Sequence, residues 1–413
     1  MTGSITYGAV SHGAEKTARW AAVALGFSIP ISVALDSMLA AVILLTWLLS
    51  FNYSEKLAVV RANPVVWLAI GLFSFYLLGS TYSIGSHEDV LDGLGKAAKL
   101  MFIPLLITVF QDAGTRRHAW RGFMGAMLLT LALSYLLWLG LLPKLEMIRG
   151  EVANPTIFKL HITHNLFMAF TAFVCAVQAR YAGTPRQRGI WAVLALLAAA
   201  NVLFLVQGRT GHLVLLVLLV YMGFTWLRWR GFAIALATIA VLAALAYTLP
   251  STSLHQRAAL AYHEFSASQS NVAATTSVGQ RIEFYRNTLE VVRQRPFLGA
   301  GTGGFKQAYA DQVRGTDQVA THNPHNEYLM VTTQLGLVGF TLLLGLFAVQ
   351  WRTAVQLPSV REQILARGML LSIMTASAVS STLIDHAEGW FYVWMSGLLF
   401  AALKPSRLPQ SAQ

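Results

Sequence analysis

The chain has 413 residues, of which 55% are hydrophobic and only 12% are charged, and its formal net charge is +12. A soluble domain usually carries about 25% charged residues, so this composition excludes an ordinary soluble protein. The basic residues are scattered between apolar runs, which favours the anchoring of cytoplasmic loops over nucleic-acid binding.

Long apolar runs occur along the whole chain, and several approach the roughly 20 residues that cross a bilayer. We therefore predict an all-α polytopic membrane protein in which residues 1–413 form a single integral membrane domain. Asp36 is interpreted as the turn between the first two runs. About twelve spans are predicted, near residues 19–35, 37–51, 64–82, 97–111, 120–142, 162–179, 189–206, 211–227, 231–250, 327–350, 365–384 and 387–403.

The short loops alternate in charge, and cytoplasmic loops are the ones rich in Lys and Arg. The basic set places both termini in the cytoplasm. The opposite loops include the acidic stretches SHEDVLDG (86–93) and DHAEG (385–389). The basic loops carry Lys56, Arg61, Arg116, Arg117, Arg121, Arg180, Arg186, Arg188, Arg228, Arg230, Arg352, Arg361 and Arg367.

A single long loop, residues 251–326, follows the ninth predicted span on the outer side. Loops of this length usually carry function. Within it, RIEFYRNTLEVVRQR (281–295) predicts an amphipathic helix at the membrane surface. Its predicted apolar face consists of Ile282, Tyr285, Leu289 and Val292. Among the basic residues of the loop, Arg281 is the candidate for function, and Arg293, Arg295 and Arg314 are interpreted as solvated surface groups.

Two polar clusters precede this loop at the outer ends of predicted spans. QGRTGH (207–212) joins two apolar runs with almost no loop, so Arg209 is held at membrane depth, where it either snorkels to the headgroups or offers its planar fork to a phosphate. HITHN (161–165) places His161 and His164 three residues apart, on one helical face. A metal site is not expected here because no carboxylate or cysteine lies nearby, and polar lining of a cavity is favoured.

The third cluster, HNPHNEYL (322–329), ends the long loop. Asn326 is a predicted N-cap, so His325 lies just outside a helix N-terminus, where the partial positive charge suits a phosphate. A neutral imidazole also accepts protons near physiological pH, although a capping or interface histidine is an equal alternative on local evidence. All three clusters and Arg281 fall on the outer side, which predicts a shared cavity there.

One nucleotide-binding pattern is rejected. GAGTGG (299–304) matches G-x-G-x-x-G, but a dinucleotide site needs a preceding strand in a βαβ unit, and this stretch lies in an outer loop. A flexible turn leading to the helical bundle is the expected structure.

The residues that follow His325 resemble a known signature. His325 and Asn326 are followed by nine residues, Gly336, two residues and Gly339, which is similar to the H-[NSQ]-x9-G-x-x-G pattern of the O-antigen ligases. The segment 279–305, with its arginine, apolar helix and P-x-x-G-x-G, and the turn QGRTGHL resemble the same ligase/polymerase superfamily. The resemblance covers residues from about 200 to 345.

This resemblance implies a membrane glycosyltransferase in the bacterial inner membrane, with its active site facing the periplasm. The donor would be a glycan on undecaprenyl diphosphate and the acceptor the lipid A–core, with membrane lipids around the protein. The reaction would invert the anomeric configuration and would need neither a metal nor another cofactor. The resemblance implies His325 as general base, and Arg209, Arg281 and, more weakly, Arg286 as ligands of the diphosphate. His322, Asn326, His161 and His164 would support them.

Five further cations near the outer boundary are candidates for contact with acceptor phosphates: Lys96, Lys99, Lys144, Arg149 and Lys159. Within the superfamily, an O-antigen polymerase or a protein O-oligosaccharyltransferase is the alternative. Outside it, a lipid-linked glycan transporter would share the spans and the arginines, but it would be expected to show repeated halves, and no internal repeat is evident.

Overall fold

The computed structural model describes residues 2–143, 146–248 and 277–403. Its regular structure is helical, and among these residues the only β contact is an isolated bridge between Glu151 and Asn154. The helices are α1 Thr2–Ser28, α2 Val33–Leu49, α3 Tyr53–Ala62, α4 Pro64–Ser80, α5 His87–Ala97, α6 Phe102–Val109, α7 Ala113–Trp138, α8 His161–Tyr181, α9 Pro185–Ala200, α10 Arg209–Thr248, α11 Ser277–Gln294, α12 Phe305–Val313, α13 Glu327–Thr353, α14 Val360–Ser377 and α15 His386–Phe400.

The helix starts follow from the local sequence. The side chains of Ser32, Asp112 and Thr184 each accept a hydrogen bond from a backbone N–H of the first helical turn. Ser359 and Glu362 form a reciprocal capping box at the start of α14. Such caps satisfy N–H groups that a helix cannot bond internally, so each start is fixed by three or four residues of sequence.

Five helices in the described part of the chain are long and apolar enough to cross a membrane, and a sixth span results if the pair α2 and α3, bent by 115°, counts as one. The five are Ala113–Trp138, His161–Tyr181, Pro185–Leu205, Arg209–Thr238 and Glu327–Gln356. The all-helical architecture with several candidate membrane spans is therefore confirmed. The number twelve, the cytoplasmic termini and the outer position of the long loop stay predictions.

The interpretation of Asp36 was wrong. The break between α1 and α2 lies at residues 29–32, and Asp36 belongs to the first turn of α2. Its side chain is fully buried, and Oδ1 accepts a hydrogen bond from Ser28 2.6 Å away. The carboxylate is an interior group, with Lys159 Nζ 4.0 Å and His386 Nε2 3.4 Å from Oδ2. Asp36 therefore lies on the buried side of a helix and does not mark a loop.

The centre of the bundle consists of α15, whose side chains are almost all buried, and the middle of α8, which is buried from His164 to Cys175. Phe123, Phe170, Phe391 and Trp394 form an aromatic cluster with ring centroids 5.3–6.4 Å apart. Trp394 also donates from Nε1 to the carbonyl of Ala22, 2.8 Å away, which ties α15 to α1. This packing gives a rigid scaffold for the surrounding helices and loops.

Helix α13 is broken by a loop that docks into it. Gly336 has φ +62° within the helix, and the N–H groups freed around the break bond to the preceding loop: Leu337 N donates to Pro296 O at 2.7 Å. In return, Ala300 and Gly301 donate to the carbonyls of Thr333 and Gln334, each at 2.8 Å. A side chain at Gly336 would collide with the carbonyl of Phe297, so the glycine permits this docking.

The expectation of a flexible turn at 299–304 was therefore wrong. Thr302 is fully buried, and its hydroxyl donates to Tyr76 O at 2.6 Å while its N–H donates to Gly79 O at 3.1 Å. The glycines make close backbone contacts with α4 and α13. The G-x-G-x-x-G pattern here is a packing motif, and no strand precedes it in the described residues.

Candidate functional site

Four separate segments meet above the bundle. They are the start of α8, the turn before α10, the face of α11 that begins at Arg281, and the segment 322–327 that leads into α13. A fifth segment, the loop 378–381 after α14, closes the assembly. The first part of the long loop, residues 251–276, lies outside the described residues, as does Lys144.

His325 occupies a strained and well-supported position. Its φ is +54°, a conformation that a residue with a side chain rarely adopts without compensation. The compensation is visible: its N–H donates to Asn323 Oδ1 at 2.8 Å, and its carbonyl accepts from the hydroxyl of Tyr285 at 3.1 Å. Asn323 Oδ1 also accepts from the hydroxyl of Ser381, 2.7 Å away. The backbone that carries the imidazole is thus fixed from two sides.

The helix start after His325 is as predicted. The side chain of Asn326 accepts a hydrogen bond from Leu329 N at 3.0 Å and so caps α13. Its Nδ2 donates to Ala378 O at 2.9 Å, which links the cap to the loop after α14. Asn326 therefore orients the segment that carries His325.

Helix α11 packs against His325 through the face that contains residues 281, 284 and 285. The ring of Phe284 stacks on the imidazole, with centroids 6.4 Å apart and planes 26° from parallel. Arg281 is half-buried, and its Nη1 lies 3.4 Å from Val379 O. Residues spaced three or four apart lie on the same side of a helix, so Arg281, Phe284 and Tyr285 face the same way.

The apolar face predicted for this helix was wrong. Ile282 and Leu289 are exposed, at 45% and 47%, whereas Asn287, Thr288 and Val291 are buried. The residues that face inward include polar ones because they close over the site. The exposed pair Ile282 and Leu289 could contact the membrane surface, where the sequence predicts that this helix lies.

Arg281 links the two histidine clusters electrostatically. Burial lowers the pKa of His325 below its ordinary value, and the positive charge of Arg281 and then of His322 lower it further. Arg281 is also within electrostatic range of His161. The imidazole of His325 is therefore held neutral at physiological pH, in the form that accepts a proton.

The turn before α10 adjoins His161. The side chain of Asn165 donates to the carbonyls of Val206 and Gly208, at 3.3 and 3.4 Å. A Cβ on Gly208 would lie 3.2 Å from His161 O, and one on Gly211 would lie 2.5 Å from the Cβ of Asn165. The two glycines thus allow the turn to close on α8, and they hold the exposed Arg209 between them, at the start of α10.

Two predicted site residues lie elsewhere. His164 is 3% exposed, and its Nε2 is 3.1 Å from Asn201 Oδ1 inside a buried network that continues to Ser134. His161, by contrast, is exposed, so the two do not share a surface although they are three residues apart. Arg286 is exposed and lies about 140° around the helix from Arg281, since each residue turns about 100°.

The cations predicted to contact acceptor phosphates fall into two groups, buried and exposed. Lys159 is 7% exposed and faces Asp36, so it is an interior group. Lys96 stays partly exposed, with its Nζ 2.6 Å from Asp92. Lys99 is buried and its Nζ donates to Asp385 O at 2.8 Å. Arg149 is exposed.

The sequence reasoning missed the groups that hold His325. An asparagine two residues before it and next to proline is a recognisable turn signal, so Asn323 was detectable. Tyr285 was treated only as apolar surface. The loop 378–381 carries no signal at all, because its role is to offer carbonyls and one serine to residues that are distant in the chain.

Comparison with known proteins matches residues 193–344 to the family model described as O-antigen ligase. This range contains Arg209, Arg281, His325 and the docking loop of α13. An uncharacterized protein of Haemophilus influenzae (strain ATCC 51907 / DSM 11121 / KW20 / Rd) is 28% identical over 115 residues, which is 27% of this chain and 28% of that protein. The aligned part thus spans less than a third of that relative.

Proposed function

We propose that the protein transfers a polysaccharide from undecaprenyl diphosphate to the lipid A–core of lipopolysaccharide, because its residues 193–344 match the family model described as O-antigen ligase. The site would face the periplasm and the protein would reside in the bacterial inner membrane. The observation that supports the proposal most directly is that Arg281 lies beside His325 and within electrostatic range of His161.

A glycosyl transfer needs a cation at the leaving diphosphate and a base at the acceptor hydroxyl, and the arginines and His325 suit these two tasks. When the bond between the anomeric carbon and the diphosphate breaks, negative charge grows on the leaving diphosphate. Fixed guanidinium groups stabilise that charge, and a half-buried arginine does so more strongly than one in open water. Arg281 is assigned this task, with Arg209 at the adjoining turn as the second ligand.

The acceptor hydroxyl must lose a proton as it attacks. His325, held neutral and fixed by Asn323 and Tyr285, is assigned as the general base. The imidazole takes up the proton of the acceptor hydroxyl while the new glycosidic bond forms and the diphosphate departs. A single direct attack inverts the configuration of the anomeric carbon. His322 and Asn326 orient this segment, and Arg286 and His164 are given no direct role.

The test is a reconstituted transfer reaction. The purified protein in nanodiscs receives undecaprenyl-diphosphate-linked glycan and lipid A–core, without nucleotide. We expect a lipid A–core that carries the glycan, with formation of free undecaprenyl diphosphate. Elongated undecaprenyl-linked glycan without modified lipid A–core would identify a polymerase instead, and no glycosidic product with either acceptor would refute the proposal.

A further inference from the structure

A separate cavity lies next to the segment that carries His325. It is lined by α4, α5, the start of α13 and the start of α15, it opens to the surface, and its volume is about 340 Å³. That is within the range of small-ligand sites, roughly 300–1,000 Å³. His322 and Glu327 line it, whereas His325 and Arg281 do not, so it adjoins the candidate site without being the same pocket.

Glu327 gives this cavity an unusual wall. Its side chain is fully buried, and Oε2 accepts a hydrogen bond from Leu383 N at 3.0 Å. The other oxygen, Oε1, is buried and has no hydrogen-bond partner within the described part of the chain. A buried carboxylate oxygen without a partner is costly, so a ligand that donates a hydrogen bond explains it.

Lys99 supplies a donor to the same cavity. It is 9% exposed, and its Nζ donates to Asp385 O at 2.8 Å and Ile384 O at 3.4 Å. An ammonium group has three donors, so one remains for a ligand. A Cβ on Gly389 would lie 2.5 Å from this Nζ, so the glycine leaves the space that the ammonium group occupies.

The rim of the cavity carries two exposed ion pairs, Lys96 with Asp92 and Lys306 with Asp89. Lys96 and Lys306 have side-chain exposures of 41% and 63%. Such solvated pairs are weak, so an anionic group with more than one oxygen can compete for these lysines. Below the rim, Tyr76, Tyr392 and Val393 provide apolar surface.

These groups match a saccharide that carries an anionic substituent. Sugar hydroxyls donate to a carboxylate and accept from an ammonium group, and the C–H faces of a sugar ring pack on apolar and aromatic side chains. We propose that this cavity binds the acceptor saccharide, with a sugar hydroxyl donating to Glu327 Oε1 and a phosphate or carboxylate of the saccharide at Lys96 and Lys306. His322, which lines the cavity, connects it to the segment of His325. Naming the sugar as the acceptor rests on the proposed glycosyl transfer.

The experiment measures binding rather than turnover. The full-length protein in nanodiscs is titrated calorimetrically with the phosphorylated core oligosaccharide that mild acid releases from the lipopolysaccharide of the bacterium encoding the protein, and with the same oligosaccharide after phosphatase treatment. Glu327→Gln keeps an oxygen for Leu383 N but presents an NH₂ group to the ligand. Loss of the acceptor oxygen at Oε1 is expected to weaken binding by about tenfold.

Lys306→Gln provides a second, surface variant that leaves the interior intact. It is expected to weaken binding of the phosphorylated oligosaccharide several-fold and to leave the dephosphorylated form unaffected. The matched controls are Glu290→Gln and Arg314→Gln, two exposed ion-pair residues of α11 and the end of α12 that do not line the cavity. Both are expected to bind like the wild type.

The outcomes separate this inference from the proposed function. Wild-type affinity in Glu327→Gln, or in Lys306→Gln if the first variant does not fold, overturns the cavity assignment, and so does a wild-type protein that binds no oligosaccharide. Binding that depends on Glu327 in a protein without any glycosyl transfer supports the saccharide site and refutes the proposed reaction.

Discussion

Arg281→Gln tests the electrostatic core of the proposed reaction. The glutamine keeps a polar group on the inner face of α11 but removes the charge that lies beside His325. Removing one charge-stabilising donor from an active site typically lowers kcat by about 10²–10³. Arg281 is half-buried and therefore partly screened by water, so we expect the lower end, about 10²-fold.

The matched control is Arg286→Gln. It makes the same chemical change on the same helix, at an exposed position that faces away from His325. We expect kcat to change by less than about threefold, since exposed charges at a distance are screened. The assay is transfer of glycan to lipid A–core in nanodiscs, quantified by gel shift at saturating donor and acceptor.

The same substitution has a second, independent signature in the pH profile. The charge of Arg281 contributes to lowering the pKa of His325. Only the neutral imidazole accepts a proton, so kcat/KM falls as the pH drops through this pKa. Removing the positive charge raises the pKa, and the acidic limb of the Arg281→Gln profile should therefore move to higher pH.

Two results would refute this reasoning. Equal losses in Arg281→Gln and Arg286→Gln would mean that the total charge of the helix matters and the position does not. An acidic limb that stays in place or moves to lower pH would mean that Arg281 does not act on the group that titrates.

Three further outcomes are expected. His325→Ala should lower kcat by about 10²–10⁴-fold while the protein still binds lipid-linked donor in a pull-down assay; transfer at the wild-type rate would remove His325 as the base. Asn323→Ala should lower kcat because the backbone of His325 loses its support, and Asn323→Asp, which retains an acceptor oxygen, should restore most of it; equal activity in the two variants would contradict this support. Gly336→Ala should destabilise the protein by at least about 1–3 kcal/mol from backbone strain alone, measured as a lower thermal midpoint in detergent, and an unchanged midpoint would argue against the docked loop.

The part of this protein that depends on local sequence was predictable. The apolar runs, the capping of α13 by Asn326, and the short turn that carries Arg209 each result from a few neighbouring residues, because helix caps and tight turns are set by local hydrogen bonds and backbone freedom. The signature around His325 and Gly336 also indicated a resemblance to the O-antigen ligases, and residues 193–344 match that family model.

Only the tertiary structure decided which face of α11 is buried and what the glycines around it do. Periodicity indicates that a helix has an apolar side, but Ile282 and Leu289 remain exposed because the inner side must accommodate Arg281 and the hydrogen bonds around His325. The loop 296–301 fits closely into the break at Gly336, and this fit depends on contact between two backbone segments that are distant in the sequence.

The cavity beside the site was likewise decided only by the tertiary structure. Lys99 and Glu327 are separated by 228 positions in the chain, and neither has a local pattern that distinguishes it from an interface charge. Packing of α4, α5, α13 and α15 removes water from both groups, and it leaves one carboxylate oxygen of Glu327 without a hydrogen-bond partner among the residues that the structure describes. Burial and pairing are properties of the assembled fold, so the sequence could supply the residue types but not their partners.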